Sequence, residues 1–304
     1  MRVAVIGIGS NSVRMLLADV EGNAGRRLKR DREGTRLFAG LDGQHRLTGE
    51  AMDTTVEAVR RMAAQARQDG AQVIHLFATS AVRDASNQQE LAARLKEASG
   101  ADMEVCSGEE EAALSFLGAT GGGFCGVIDI GGGSTEIVVG QDMEIRCAFS
   151  CQMGAVRLFG QMPIHSHGDL PAVERLAADI LEDKLRQHPS LALPPKWIGV
   201  GGTFTTLAAM VKGVRWTDRT YMHGTRVTLS QAEALARSLS DMSMDERLRL
   251  PGLQPHRADI IVHGMCILTA AMKRLSIGEI TVSEYGNMDG YLKNRYQLAG
   301  EDFK

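Results

Sequence analysis

The stretch Gly126-Val-Ile-Asp-Ile-Gly-Gly-Gly-Ser-Thr-Glu136 constrains this chain more than any other. A short apolar run broken only by Asp129 leads into three glycines, and residues 137–139 resume the apolar pattern. Two β-rich runs around a glycine turn predict a tight hairpin. Consecutive glycines let a backbone approach a ligand closely and turn its N–H groups toward an anion. Gly131, Gly132, Gly133, Ser134 and Thr135 are therefore candidate phosphate ligands. Asp129, at the end of the first strand, can hold a divalent cation beside phosphate oxygens, directly or through water. An ordinary hairpin with a flexible turn carries the same pattern, so the motif alone does not decide.

A second copy lies at the start of the chain, in Val3-Ala-Val-Ile-Gly-Ile-Gly-Ser-Asn-Ser-Val-Arg14. Val5, Ile6, Ile8, Gly9 and Ser12 overlie Val127, Ile128, Ile130, Gly131 and Ser134 at an offset of 122 residues. That offset is too long for a solenoid repeat and suits a duplicated domain. Gly9, Ser10, Asn11 and Ser12 become the second set of candidate phosphate ligands. The pattern resembles the actin-like, sugar-kinase and Hsp70 ATPase superfamily. The implied fold is α/β, with two duplicated actin-like or ribonuclease H-like domains, mixed sheets, and a cleft whose two hairpins clamp a phosphate chain.

Composition narrows the partners. The 304 residues are enough for two cores, and 44% hydrophobic with 23% charged content suits a globular protein. A net charge of −3 argues against general nucleic-acid binding, and 5% aromatic content argues against base-stacking platforms. Five cysteines without a CxxC motif predict free thiols in a reducing compartment. His165 and His167 read as surface-loop residues without carboxylate neighbours. No run of about 18 apolar residues predicts a membrane span, and the opening strand does not read as a signal peptide, so a cytoplasmic protein is expected.

Strands and helices alternate along the chain. Charged, glycine-punctuated residues 21–49 suggest only short strands and a turn near Leu41-Asp-Gly43. Ser107 can cap a helix whose first turn carries Glu109, Glu110 and Glu111, where acids favour the positive end of the helix. Residues 197–200 run as a strand into Gly201-Gly-Thr203 and a helix, a turn that again presents N–H groups to an anion. The expected division is 1–120 for the first domain and 121–287 for the second, with a terminal helix from about 288 to 304 returning to the first.

Eight motifs in order resemble the exopolyphosphatase/guanosine pentaphosphate phosphohydrolase (Ppx/GppA) family. They are Gly9-Ser-Asn-Ser12, Ala78-Thr-Ser-Ala-Val-Arg83, Ser107-Gly-Glu-Glu-Glu-Ala112 and Asp129-Ile-Gly-Gly-Gly-Ser-Thr-Glu136, followed by Met153-Gly-Ala-Val-Arg157, Gly201-Gly-Thr203, Arg257-Ala-Asp-Ile260 and Val282-Ser-Glu-Tyr-Gly286. The resemblance is to the short, two-domain form rather than to longer members with an added helical domain. It implies release of terminal orthophosphate from inorganic polyphosphate, with Mg²⁺ (or Mn²⁺) as cofactor, and a homodimer. It also implies roles. Glu111 matches the carboxylate that orients and deprotonates the attacking water, with a one-residue ambiguity toward Glu110. Asp129 anchors the metal, and Glu136 orders metal-bound water. Arg83 faces the phosphate site, whereas Arg14 reads either as a substrate ligand or as a surface ion pair. Gly201, Gly202 and Thr203 line the polyphosphate channel.

Two departures stand out. The resemblance implies an aspartate at Gly7, the repeat partner of Asp129, and an arginine within Asn287-Met-Asp-Gly290. On that reading, an aspartate restored at position 7 raises the rate. Guanosine pentaphosphate is the alternative substrate, using the same site with another leaving group. A non-catalytic polyphosphate or alarmone sensor is the alternative of a different class, and Gly7 is the feature that favours it.

Overall fold

The computed structural model describes residues 1–217 and 221–299. The chain forms two compact units, Met1–Gly121 together with Asn287–Lys304, and Gly122–Gly286. Each is built on one mixed sheet with helices packed against it.

In the first unit, β2 (Ser12–Glu21) pairs antiparallel with both β1 (Arg2–Ile8) and β3 (Ala24–Gly34). β4 (Val73–Ala78) and β5 (Met103–Val105) then add parallel to β1, giving the order β3-β2-β1-β4-β5. The second unit repeats that order with β8 (Glu144–Cys151), β7 (Thr135–Gln141), β6 (Phe124–Ile130), β9 (Lys196–Val200) and β11 (Glu279–Val282). β10 (Arg226–Thr228) adds one antiparallel edge strand. The duplication extends to irregularities. A register shift between Leu17 and Ala18 in the first sheet recurs between Val139 and Gly140 in the second, at the same offset of 122 residues (Leu17 to Val139). Such a bulge increases local twist, so both hairpins bend at the same point.

Residues 21–49 depart from the expectation of short strands. β3 is one 11-residue strand, followed by a 3₁₀ turn over Leu37–Gly40. Its run of arginines has little intrinsic preference for extended structure. Pairing with β2 from Gly34 back to Ala24 outweighs that local weakness, as sheet context commonly does.

Helices cover the sheets with apolar faces. Gly49–Gln68 buries Met52, Val56, Val59, Met62 and Ala63 at helical spacing against Ile6, Ile8 and Met15. The opposite face of that sheet packs Val3, Val5 and Phe77 against Leu114 of helix Gly108–Ala119 and against Tyr291 and Leu292 of helix Asn287–Tyr296. In the second unit, helix Ile261–Arg274 is buried along nearly its whole length. Among the described residues, no helix is long and apolar enough to cross a membrane.

Candidate functional site

The two glycine loops close in the same way. Gly131 N–H donates to Ser134 O at 3.0 Å, and Gly9 N–H donates to Ser12 O at 3.0 Å. In the second unit, helix Ala155–Gln161 then takes up the loop carbonyls. Ala155 N–H meets Gly131 O at 3.0 Å, while Val156 and Arg157 N–H meet Gly132 O at 2.9 and 3.0 Å. Arg157 Nε donates to Gly133 O at 2.6 Å. With the carbonyls bound on one side, no acceptor among the described residues meets the backbone N–H of Gly132, Gly133 or Ser134. That is a nest of donors suited to an anion. Gly154 makes the approach possible, because a Cβ there would stand 2.3 Å from the Gly132 carbonyl.

Asp129 and Glu136 stand directly opposite each other on β6 and β7. Opposed residues of an antiparallel pair share a face, so the two carboxylates lie side by side. Ser150 extends the row on β8 and donates its hydroxyl to Glu136 Oε1 at 2.8 Å. Gly201 closes the far side of Asp129. Its φ is +97°, and a Cβ there would come within 2.7 Å of Asp129 Oδ1. The Arg257 guanidinium covers Gly202 so closely that no side chain could replace that hydrogen. The chain thus brings together Asp129, Glu136, loop 131–134 and loop 201–202 within one unit.

Two side chains expected at the site turn into the fold instead. The Thr135 hydroxyl donates to Met153 O at 2.5 Å, and Thr203 is buried against Gly264.

The first unit holds the other residues. Thr35 and Arg36 N–H both donate to Asn11 O at 3.2 Å, and Phe38 N–H to Ser10 O at 2.9 Å. Ser10, Asn11 and Ser12 are all buried, and neither amide atom of Asn11 meets a partner among the described residues. Arg14 folds back beside Gly9 and donates to Asn287 Oδ1 at 3.3 Å, so a surface ion pair does not describe it. Arg32, its register partner on β3, donates through Nε to Ser12 Oγ at 3.2 Å.

The three glutamates divide by environment. Ser107 and Glu110 form a reciprocal capping box at the start of helix Gly108–Ala119, and Glu109 is exposed. Glu111 alone is buried, 6% exposed, with Arg83 Nη1 at 3.2 Å from its Oε2. The same Nη1 donates to Cys106 O at 2.9 Å, whereas Nη2 is buried without a partner among the described residues. Arg83 ends the short helix Ser80–Arg83 that follows β4, which aims it toward this carboxylate. Burial, helped by the nearby Glu111 charge, pushes the Cys106 thiol up to about 12, so that it stays protonated.

Gly7 occupies an apolar setting. A Cβ there would stand 3.1 Å from the edge of the buried Phe77 ring and 3.6 Å from Met288 Cγ. The two departures noted in the sequence therefore meet at one spot, where Gly7, Phe77 and Met288 pack together.

Arg157, Gly154, Ser150, Arg32 and Arg257 were not singled out as site residues from sequence. Arg157, Gly154 and Arg257 sit within motifs that carried the family resemblance, a signal that could have flagged them. Ser150 and Arg32 are visible only through strand register. All five cysteines are free. His167, expected to lack a carboxylate neighbour, contacts Asp241 at 2.8 Å through an approach of 74 residues in sequence. Among the described residues, no three His, Cys, Asp or Glu side chains gather where they could hold a metal ion.

Comparison with known proteins agrees with this geometry. Exopolyphosphatase 2 of Mycobacterium tuberculosis is 34% identical over 313 residues, covering 95% of this chain and 97% of the relative. Exopolyphosphatase 1 of Mycobacterium bovis is 29% identical, covering 96% and 87%. Among solved structures, an exopolyphosphatase from Cytophaga hutchinsonii superposes with a TM-score of 0.87 at 27% identity, over 98% of each chain. A PPX-GPPA enzyme of Aquifex aeolicus gives 0.80 at 26% identity, over 97% of this chain and 99% of its own. The Ppx/GppA phosphatase family model matches residues 17–297. With the motifs, the doubled sheet and the relatives in accord, the chain belongs to the Ppx/GppA phosphatase family of hydrolases.

Proposed function

We propose that this protein releases terminal orthophosphate from inorganic polyphosphate, using a water activated by Glu111. The observation that carries the reading is Arg83. One guanidinium nitrogen holds the buried Glu111 carboxylate, while the other is a buried donor with no partner among the described residues. A donor in that state is suited to a phosphate oxygen, and a planar guanidinium can present carboxylate and phosphate to each other. The mycobacterial relatives named exopolyphosphatase support polyphosphate as the substrate class.

In this reading, the N–H groups of Gly132, Gly133 and Ser134 take phosphate oxygens. Glu111 accepts the proton of the attacking water, a general-base role. Phosphoryl transfer of this kind depends mostly on positioning and charge neutralisation. The pair Asp129 and Glu136 fits a hard divalent cation, because side-by-side carboxylates supply charged oxygens and leave the remaining positions to water. Mg²⁺ or Mn²⁺ held there would neutralise charge on the phosphate group when bound.

Phosphate release should be measured with polyphosphate and guanosine pentaphosphate in parallel, with and without Mg²⁺. Glu111→Gln is expected to lower turnover by on the order of 100-fold or more while polyphosphate still binds. Full activity in Glu111→Gln, with loss in Glu110→Gln, would move the base by one residue. Absence of phosphate release from polyphosphate in the wild type would sink the proposal.

A further inference from the structure

The helix that carries Glu111 is clamped by another helix that arrives from the far end of the sequence. Gly290 of helix Asn287–Tyr296 lies against the backbone of Leu114, one turn beyond Glu111. A Cβ on Gly290 would stand 1.8 Å from Leu114 O and 3.0 Å from Gly118 N. At the other end of the contact, Lys293 Nζ donates to Leu117 O at 2.9 Å and is 3.5 Å from Gly118 O. These are last-turn carbonyls that have no partner within their own helix, and a cation there also meets the negative end of the helix dipole. The clamping helix is itself tied to the sheet. Asp289 is held by Arg27 and by Arg30, the latter at 3.2 Å, and Tyr291 stacks on Phe77 with ring centroids 5.1 Å apart.

We propose that Gly290 and Lys293 are positioning residues, setting the axial and lateral place of helix Gly108–Ala119 and thereby of Glu111 against Arg83. The inference rests on the reading of Glu111 as the base. Lys293 is 7% exposed, and burial holds its ammonium below the usual lysine range. Methionine keeps an unbranched, adaptable side chain of similar length, so Lys293→Met fills the same space while removing the ammonium. What such a replacement removes here is the directional hold on Leu117 and Gly118. Gly290 acts by absence, since any side chain would push the two helices apart at Leu114.

The test is a double-mutant cycle of Lys293→Met with Glu111→Gln, read as kcat and KM for phosphate release from polyphosphate, with Tm measured alongside. Lys293→Met is expected to lower kcat by about tenfold with KM unchanged, since small displacements of a reacting group carry penalties of that order or more. Lys293→Arg should recover most of the loss. In the Glu111→Gln background, Lys293→Met should change the residual rate little, because the group it positions is already gone. Gly290→Ala should show the same pattern with a larger drop. An equal loss from Lys293→Met in both backgrounds, or wild-type kcat in Lys293→Met, would overturn the positioning role alone. Wild-type kcat in Glu111→Gln would remove the base assignment and this inference with it.

Discussion

The two hairpins share a fold but carry opposite charge in the same register. Across β6, β7 and β8 the row reads Asp129, Glu136, Ser150. Across β1, β2 and β3 the matching row reads Gly7, Arg14, Arg32. Loop closure, strand order and bulge position agree between the copies, so the backbone has been kept while the row beneath each loop has diverged. An acidic row can hold a cation, and a basic row can hold phosphate oxygens. On the proposed function, duplication of one sheet would supply ligands both for a cation and for a polyanion. The loops provide backbone donors in both copies, so the difference in chemistry lies in the paired side chains behind them.

The comparison can be broken most severely at Glu136. Glu136→Gln keeps an acceptor for the Ser150 hydroxyl but halves the charge of the carboxylate pair. Phosphate release at limiting Mg²⁺ should fall by on the order of 100-fold and recover in part at high Mg²⁺, because an amide holds a hard cation weakly. A Mg²⁺ titration that superposes on the wild type would take Glu136 out of the acidic row's assigned role. A smaller effect is expected at Arg14. Arg14→Ala should raise KM for polyphosphate by about tenfold and flatten its dependence on salt, since screening acts on the charge that has been removed. Retention of the wild-type salt dependence would separate Arg14 from substrate.

The smallest effect on rate is expected at Gly7, where the sequence suggested a gain from restoring aspartate. The structure shows close neighbours at position 7 that the sequence does not. The side chain would enter 3.1 Å from the Phe77 ring edge and 3.6 Å from Met288 Cγ, on the face it shares with its register partner Arg14 and not beside a metal-binding pair. Gly7→Asp should leave the Mg²⁺ titration unchanged and lower Tm by roughly 5 °C, the scale of a 1–2 kcal/mol penalty for crowding a side chain against the packed Phe77 ring. Faster turnover at low Mg²⁺ would mean that position 7 serves the metal after all.

Much of this was legible in the residues, because the glycine-rich turns, the flanking apolar runs and the 122-residue offset are local patterns with direct structural meaning. The inward turn of Thr135 and Thr203 was not legible. Each hydroxyl's fate depends on Met153 or Gly264, which reach it only through tertiary packing. The environment of Gly7 was hidden for the same reason, since Phe77 arrives from β4 and Met288 from the terminal helix. Spacing alone does not remove the one-residue ambiguity between Glu111 and Glu110. In the structure the capping box uses Glu110, whereas Glu111 is buried and meets the half-buried Arg83. β3 was underestimated because arginine-rich segments lack strand propensity, and its extended form comes from pairing along β2.

The division of labour between the two rows is most directly tested by binding, apart from turnover. Mn²⁺ binding followed by electron paramagnetic resonance, and polyphosphate binding without metal followed by calorimetry, should be compared for wild type, Asp129→Asn and Arg14→Ala. The account predicts that Asp129→Asn loses Mn²⁺ affinity and keeps metal-free polyphosphate binding, whereas Arg14→Ala keeps Mn²⁺ affinity and loses polyphosphate. Asp129→Asn with wild-type Mn²⁺ affinity, or Arg14→Ala with wild-type polyphosphate affinity, would contradict it.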